Sequence, residues 1–255
     1  MTRVAAGLAL LALAPVAVHA QDPFEIQVYE YATVPKGKWN LETHVNHTVR
    51  GIRGAEGTVA PSQGQTHLTF ELTRGITSNF ELAGYLAFAR RPGSGPDFAA
   101  WRIRPRLSLP ERWNLPVLLS LSAEVAFPTN TYEAEKATLE IRPILERSFG
   151  RVAIDLNPVF GRSLKGPGVP EGWDFEPGAR VGVDVAKRVT VSVEYYGSLG
   201  RVSDFLPADE QVHQFFLGGD VQLRETLVMN LGIGLGATQA GNRTVLKARL
   251  GWMFP

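Results

Sequence analysis

Residues 101–109, WRIRPRLSL, set Arg102, Arg104 and Arg106 at every second position, with Trp101, Ile103, Leu107 and Leu109 between or beyond them. Successive side chains of an extended strand point to opposite faces. The stretch therefore carries a column of guanidinium groups on one face and an apolar column on the other. A guanidinium binds carboxylates through paired, charge-assisted hydrogen bonds. Matching carboxylates lie at alternating positions elsewhere: Glu42, Glu71, Glu124, Glu140, Glu146, Asp155, Asp174, Glu176, Asp184 and Glu194. Arg142, Arg180, Lys247 and Arg249 add to the cationic set. A soluble sandwich would turn these charges to water. A transmembrane barrel would turn them to its lumen and the apolar columns to lipid.

Other chemistry is thinly represented. There is no cysteine, which excludes thiolate catalysis, cysteine metal sites and disulfides. On the strand phasing below, His44 and His67 point inward and His47 and His213 outward near one rim. No outward serine offers itself as a partner for a lipid-face hydrolase. His44 and His47 are three apart, so a strand directs them to opposite faces and they cannot share a metal. GIGLGA at 232–237 is not G-x-G-x-x-G and no helix follows it, so no dinucleotide site is expected. No catalytic residue, metal or cofactor is predicted.

The elements that must hold these charges follow from the rest of the chain. Residues 1–20, MTRVAAGLALLALAPVAVHA, read as a secretory signal cleaved after Ala20: basic Arg3, an apolar stretch, then small residues. Without Arg3, 25 basic residues balance 25 acidic ones, which argues against a nucleic-acid partner. No apolar run of about 20 residues survives cleavage, so no helix can span a bilayer. From residue 38 the sequence reads as twelve alternating segments: 38–50, 65–74, 80–90, 98–109, 116–127, 136–147, 151–162, 173–186, 188–199, 211–223, 227–238 and 243–254. Their connections alternate in length, with GITSN, PERWN, SFG, AK and RET against longer polar loops such as 51–64 and GRVSDFLPADE. Short periplasmic turns and long external loops are the pattern of outer-membrane barrels. On this path Trp39, Trp113 and Trp252 fall at periplasmic ends, and Trp101 and Trp173 at external ends, where interfacial aromatics belong.

Pro105, Pro143, Pro158 and Pro177 interrupt four strands and suggest bulges or local kinks, beyond which the inward–outward phase could slip by one. Gly232, Gly234 and Gly236 leave one inner wall bare, so something is expected to lie close to it. Residues 21–37, with alternating Phe24, Ile26 and Val28, are expected to tuck into the periplasmic mouth as a partial plug or to hang there as a tail.

The segment GITSNFELAG resembles the G-[IL]-T-x-x-[FL]-E-[LV] periplasmic turn of bacterial outer-membrane barrels grouped with the phenol meta-pathway transporter-like family. KGKWNLETHVNH and AKRVTVSVEYYG resemble its first-strand and late-strand segments. The resemblance implies an outer-membrane channel or transporter-like role and carries no catalytic residues. Such barrels usually end on an aromatic residue, whereas Phe254 here is followed by Pro255.

The expectation is thus an all-β, up-and-down transmembrane barrel of about twelve strands over 38–255, in the bacterial outer membrane. Its partners would be outer-membrane lipid, the barrel-assembly machinery through the C-terminal strand, and a small polar or aromatic solute. Arg102, Arg104, Arg106, Glu71, Glu124, Glu140, Arg142, Asp174, Glu176, Arg180, Glu194, Lys247 and Arg249 are the expected lumen and selectivity residues. They would line a charged pore, or pair into a polar core that conducts little. An outer-membrane phospholipase is the other alternative.

Overall fold

A computed structural model describes residues 22–255; the signal segment and its cleavage site lie outside the described residues. Fourteen strands follow in chain order: β1 (Trp39–Arg50), β2 (Thr66–Gly75), β3 (Phe80–Arg90), β4 (Pro96–Ser108), β5 (Leu118–Pro128), β6 (Ala137–Phe149), β7 (Val152–Lys165), β8 (Asp174–Ala186), β9 (Val189–Ser198), β10 (Gly200–Arg201), β11 (Asp204–Phe205), β12 (Val212–Arg224), β13 (Leu227–Gly236) and β14 (Thr244–Phe254). The twelve long ones pair antiparallel, each with its neighbours along the chain, and β14 returns to β1, with Trp39 opposite Phe254. The ring has no free edge, which is how a sheet satisfies its backbone in lipid. Strands β10 and β11 form a small hairpin in the β9–β12 connection, where Arg201 bridges to Asp174.

The alternation that builds these strands is inverted relative to a soluble barrel. Outward Leu217 is 59% exposed, whereas inward Arg104 is 2% exposed. Loops 51–65, 91–95, 129–136, 166–173, 199–211 and 237–243 gather at one end. The other carries the turns 76–79, 150–151, 187–188 and 225–226. The β4–β5 connection, 109–117, is the long member of the turn end and folds into a 3-10 turn at Glu111–Trp113. Trp39, Trp113 and Trp252 lie at the turn end and Trp173 at the loop end. Trp101 stacks on Phe127 at 4.2 Å, also toward the loops.

The prolines behave differently from the sequence expectation. Pairing runs in one register from Ile103–Val125 to Arg106–Ser122 across Pro105, and from Ile141–Phe160 to Leu145–Leu156 across Pro143 and Pro158. Pro158 lies directly opposite Pro177. No phase slip occurs, and Arg102, Arg104 and Arg106 all face inward. A proline removes a ladder donor without adding a residue, and its φ suits an extended strand. All four prolines occupy outward positions, and Pro143, Pro158 and Pro177 form a row at one height across β6, β7 and β8. The register shifts sit elsewhere, as at Ala87/Phe88, where β4 turns both Ala99 and Ala100 inward.

The core lies inside the ring, around residues 22–37. Gly37, at φ 81°, turns the chain from the interior into β1, its N–H donating to the Gly75 carbonyl at 2.8 Å. The approach is so close that a Cβ on Gly75 would stand 2.2 Å from the Pro35 carbonyl oxygen. Beyond this turn Ile26 and Val28 pack with Tyr196, Val212, Phe216 and Val245, while Phe24 packs with Ala87, Ala89, Ala99, Ala100 and Tyr132. The bare glycine wall is covered by its own neighbours: Cβ atoms on Gly232, Gly234 and Gly236 would meet Lys247, the Phe216 ring and the Asn242 carbonyl.

Candidate functional site

The arginine column of β4 is the spine of the lumen. Arg104 reaches Glu71 of β2 at 2.5 Å and Glu81 of β3 at 3.5 Å; Arg106 lies 3.7 Å from Glu81, and Arg102 3.2 Å from Glu124 of β5. Antiparallel pairing places these strands side by side, so each guanidinium meets a carboxylate one strand away or diagonally. On the opposite wall the pairs reach further, some across two or three strands. Arg180 of β8 pairs with Asp155 (2.9 Å) and Asp220 (3.1 Å), Arg249 of β14 with Glu42 (3.0 Å) and Asp220 (3.4 Å), and Lys247 with Glu194 (2.5 Å). Arg142 chelates Glu140 at 2.8 and 3.1 Å.

Residues 22–36 thread between these walls. Asp22 pairs with Arg102 toward the loop end. The Asn157 side chain of β7 holds both backbone groups of Tyr29: its Oδ1 accepts from the Tyr29 N–H (2.7 Å) and its Nδ2 donates to the Tyr29 carbonyl (3.0 Å). Glu30 lies 3.0 Å from Arg180, and Arg106 donates to the carbonyls of Glu30 and Ala32. Glu146 accepts the Tyr31 N–H at 2.8 Å, and Glu81 the Val34 N–H at 2.6 Å, near the turn end. Lys247 donates to the Ile26 carbonyl at 3.4 Å. The contacts thus run almost the height of the lumen, deeper than the periplasmic mouth where the sequence placed this segment.

Tyr29 is the hub. The guanidinium carbons of Arg142, Arg104 and Arg106 stand 4.3, 4.6 and 5.4 Å from its ring centre, within cation–π range. Its hydroxyl donates to Glu25 and lies 3.2 Å from that of Tyr85. Among the described residues the segment forms no backbone-to-backbone bond with the wall until the turn at Gly37. It is held by side chains.

The structure brings most of the expected lumen residues into this network. Asp174 and Glu176, at the loop end of β8, join no salt bridge among the described residues, and Asp174 is tied to Arg201 through backbone pairing. Glu81, Asn157 and Asp220 escaped the sequence reading. Asp220 was legible from the outward series Phe215, Leu217 and Val221, but Gly218 and Gly219 blur the alternation. His44 faces Glu42 and Glu71 in the lumen, and His67 meets Gln65 at 2.8 Å. The outward histidines contact hydroxyls other than serine: His47 pairs with Thr66 (2.9 Å) and His213 with Tyr195 (2.8 Å). Among the described residues, Glu25, His44 and Glu71 each bring one possible ligand atom within 4.8 Å of the other two. The lumen is not filled everywhere. A cavity of about 530 Å³ opens at the turn end, lined by Asp184, Lys187, Arg188, Thr190, Asp220 and Gln222.

A closed antiparallel ring of twelve long strands, apolar outside and charged inside, defines a transmembrane β-barrel. Solved structures agree on the fold. The chain resembles the COG4313 outer membrane channel from Pseudomonas putida F1 over 90% of its length and 100% of that chain, at TM-score 0.59 and 13% identity. It also resembles a KdgM porin (TM-score 0.54, 8% identity, 85% and 99% covered) and a NanC porin (TM-score 0.55, 4% identity, 85% and 99% covered). No protein-family profile matches the sequence, and no curated protein is similar to it by sequence.

Proposed function

We propose that this protein is a channel of the bacterial outer membrane for small polar or anionic solutes, and that residues 22–36 act as a displaceable plug. The observation that carries the reading is how the segment is held. Wall side chains from β3, β4, β6, β7 and β14 bind its backbone, yet it shares no ladder with the wall, so it can leave without unpairing a strand. A lumen that grips one extended polar chain through arginine, lysine and carboxylate groups also has the means to orient a passing solute. The arginines of β4, with Glu71, Glu124, Arg180 and Lys247, are the selectivity elements of this reading. The likeness of GITSNFELAG and its companions to phenol meta-pathway transporter-like barrels supports the same role. So does the barrel fold shared with a KdgM porin solved in complex with disordered oligogalacturonate. Cleavage after Ala20 would start the mature chain one residue before Asp22. Strand β14 would be the handle for the barrel-assembly machinery.

The test is conductance in planar bilayers, with liposome swelling for solutes, for the full mature chain and a variant lacking 22–36. The deletion is expected to raise conductance. Two equally silent proteins would point instead to a closed, ion-paired structural barrel.

A further inference from the structure

Glu25 of the inner segment, His44 of β1 and Glu71 of β2 converge in the lumen, with one ligand atom from each lying within 4.8 Å of the others. All three are buried, at 5%, 1% and 2% exposure. Two of the converging groups also lack what buried polar atoms need. His44 Nε2 and Glu71 Oε2 have no hydrogen-bond partner; the carboxylate oxygens nearest to Nε2 stand 3.5 Å (Glu42) and 3.8 Å (Glu71) away. Buried polar groups are normally satisfied, and contacts this long, ion pairs only when His44 is protonated, leave room for a further partner between them.

The surrounding contacts orient the donors as outer-shell groups do in metal sites. Arg104 and Thr73 both hold Glu71 through Oε1, at 2.5 and 2.7 Å, which leaves Oε2 free. The Tyr29 hydroxyl donates to Glu25 Oε1. We propose that Glu25, His44 and Glu71 bind a first-row divalent cation, zinc in the first instance. One imidazole and two carboxylates suit such an ion, whereas calcium and magnesium favour all-oxygen sites. The cationic neighbours are already matched, Arg104 by Glu71 and Glu81 and Arg249 by Glu42 and Asp220. The competing occupant is a proton on His44, which would turn the same contacts into ion pairs with Glu42 and Glu71. Because Glu25 belongs to the segment and the other two to the wall, a bound ion would fasten one to the other. That consequence, unlike the site itself, rests on the plug reading.

The test uses the full mature chain in detergent, stripped with a chelator. Cobalt(II) titration should give a visible absorption band saturating at one ion per chain, displaced by zinc. Glu25→Gln should weaken binding about tenfold or more, His44→Gln should abolish the band, and Glu225→Gln, in the exposed turn between β12 and β13, should leave it unchanged. Glu25 lies outside every strand, so Glu25→Gln remains informative even where His44→Gln fails to fold. Absence of saturable binding, or binding indifferent to Glu25→Gln, overturns the site. Tight zinc binding with no change in conductance would keep the site and overturn the plug instead.

Discussion

Replacing Asn157 by alanine tests the plug at its best-defined contact. The side chain is 1% exposed and makes two hydrogen bonds to the Tyr29 backbone, at 2.7 and 3.0 Å. A buried neutral hydrogen bond is worth about 1 kcal/mol net, and orphaned groups that stay dry cost about 1–3 kcal/mol more. The polar lumen lets water reach the freed groups once the segment lifts, so the lower figure applies. Two bonds then weaken docking by about 2 kcal/mol, or about 30-fold in the docked-to-free equilibrium. Single-channel recordings should show the open fraction of Asn157→Ala rising by about that factor. The wall strand keeps its ladder to β8 in the variant, which heat-modifiable electrophoretic mobility would confirm. A folded Asn157→Ala protein with the open behaviour of the parent would refute the reasoning, because the segment would then be indifferent to its strongest backbone clamp.

Two further outcomes follow from the geometry. Leu217→Arg places a charge on the outward face of β12 and should destabilise the barrel in lipid vesicles by about 2–4 kcal/mol; equal urea resistance would mean that this face does not meet the bilayer. Gly75→Val drives side-chain atoms into the Pro35 carbonyl and should loosen residues 34–37, seen as faster proteolysis within the segment, and unchanged cleavage would show that the turn has room to spare.

Much of the barrel was legible because lipid on one side and polar groups on the other impose a period of two. The alternation Leu68, Phe70, Leu72 against His67, Thr69, Glu71 gave both the extent and the phase of β2, and the same logic held along β4. The prolines misled. Their lost donor reads like a bulge, but a bulge needs an extra residue, and Pro105, Pro143, Pro158 and Pro177 add none. The segment's partners were illegible for a different reason. Tyr29 meets Asn157 and Ile26 meets Lys247 across 128 and 221 residues of chain, and no local pattern announces such distant pairing. Asp22 and Glu25 carry no local pattern that announces their partners until the barrel closes around them.

The order of the elements along the chain bears on how the interior is filled. Residues 22–36 precede every wall strand in the sequence, and Lys247 and Arg249, which hold Ile26 and Glu42, sit on the last one. The contacts with β2, β3 and β4 lie within one run of neighbouring strands, whereas those with β14 join the same wall only where it zips against β1. Filling the interior and closing the seam are therefore one event at the β14 side. Damage to Lys247 is expected to surface as slow or incomplete assembly as well as a looser interior.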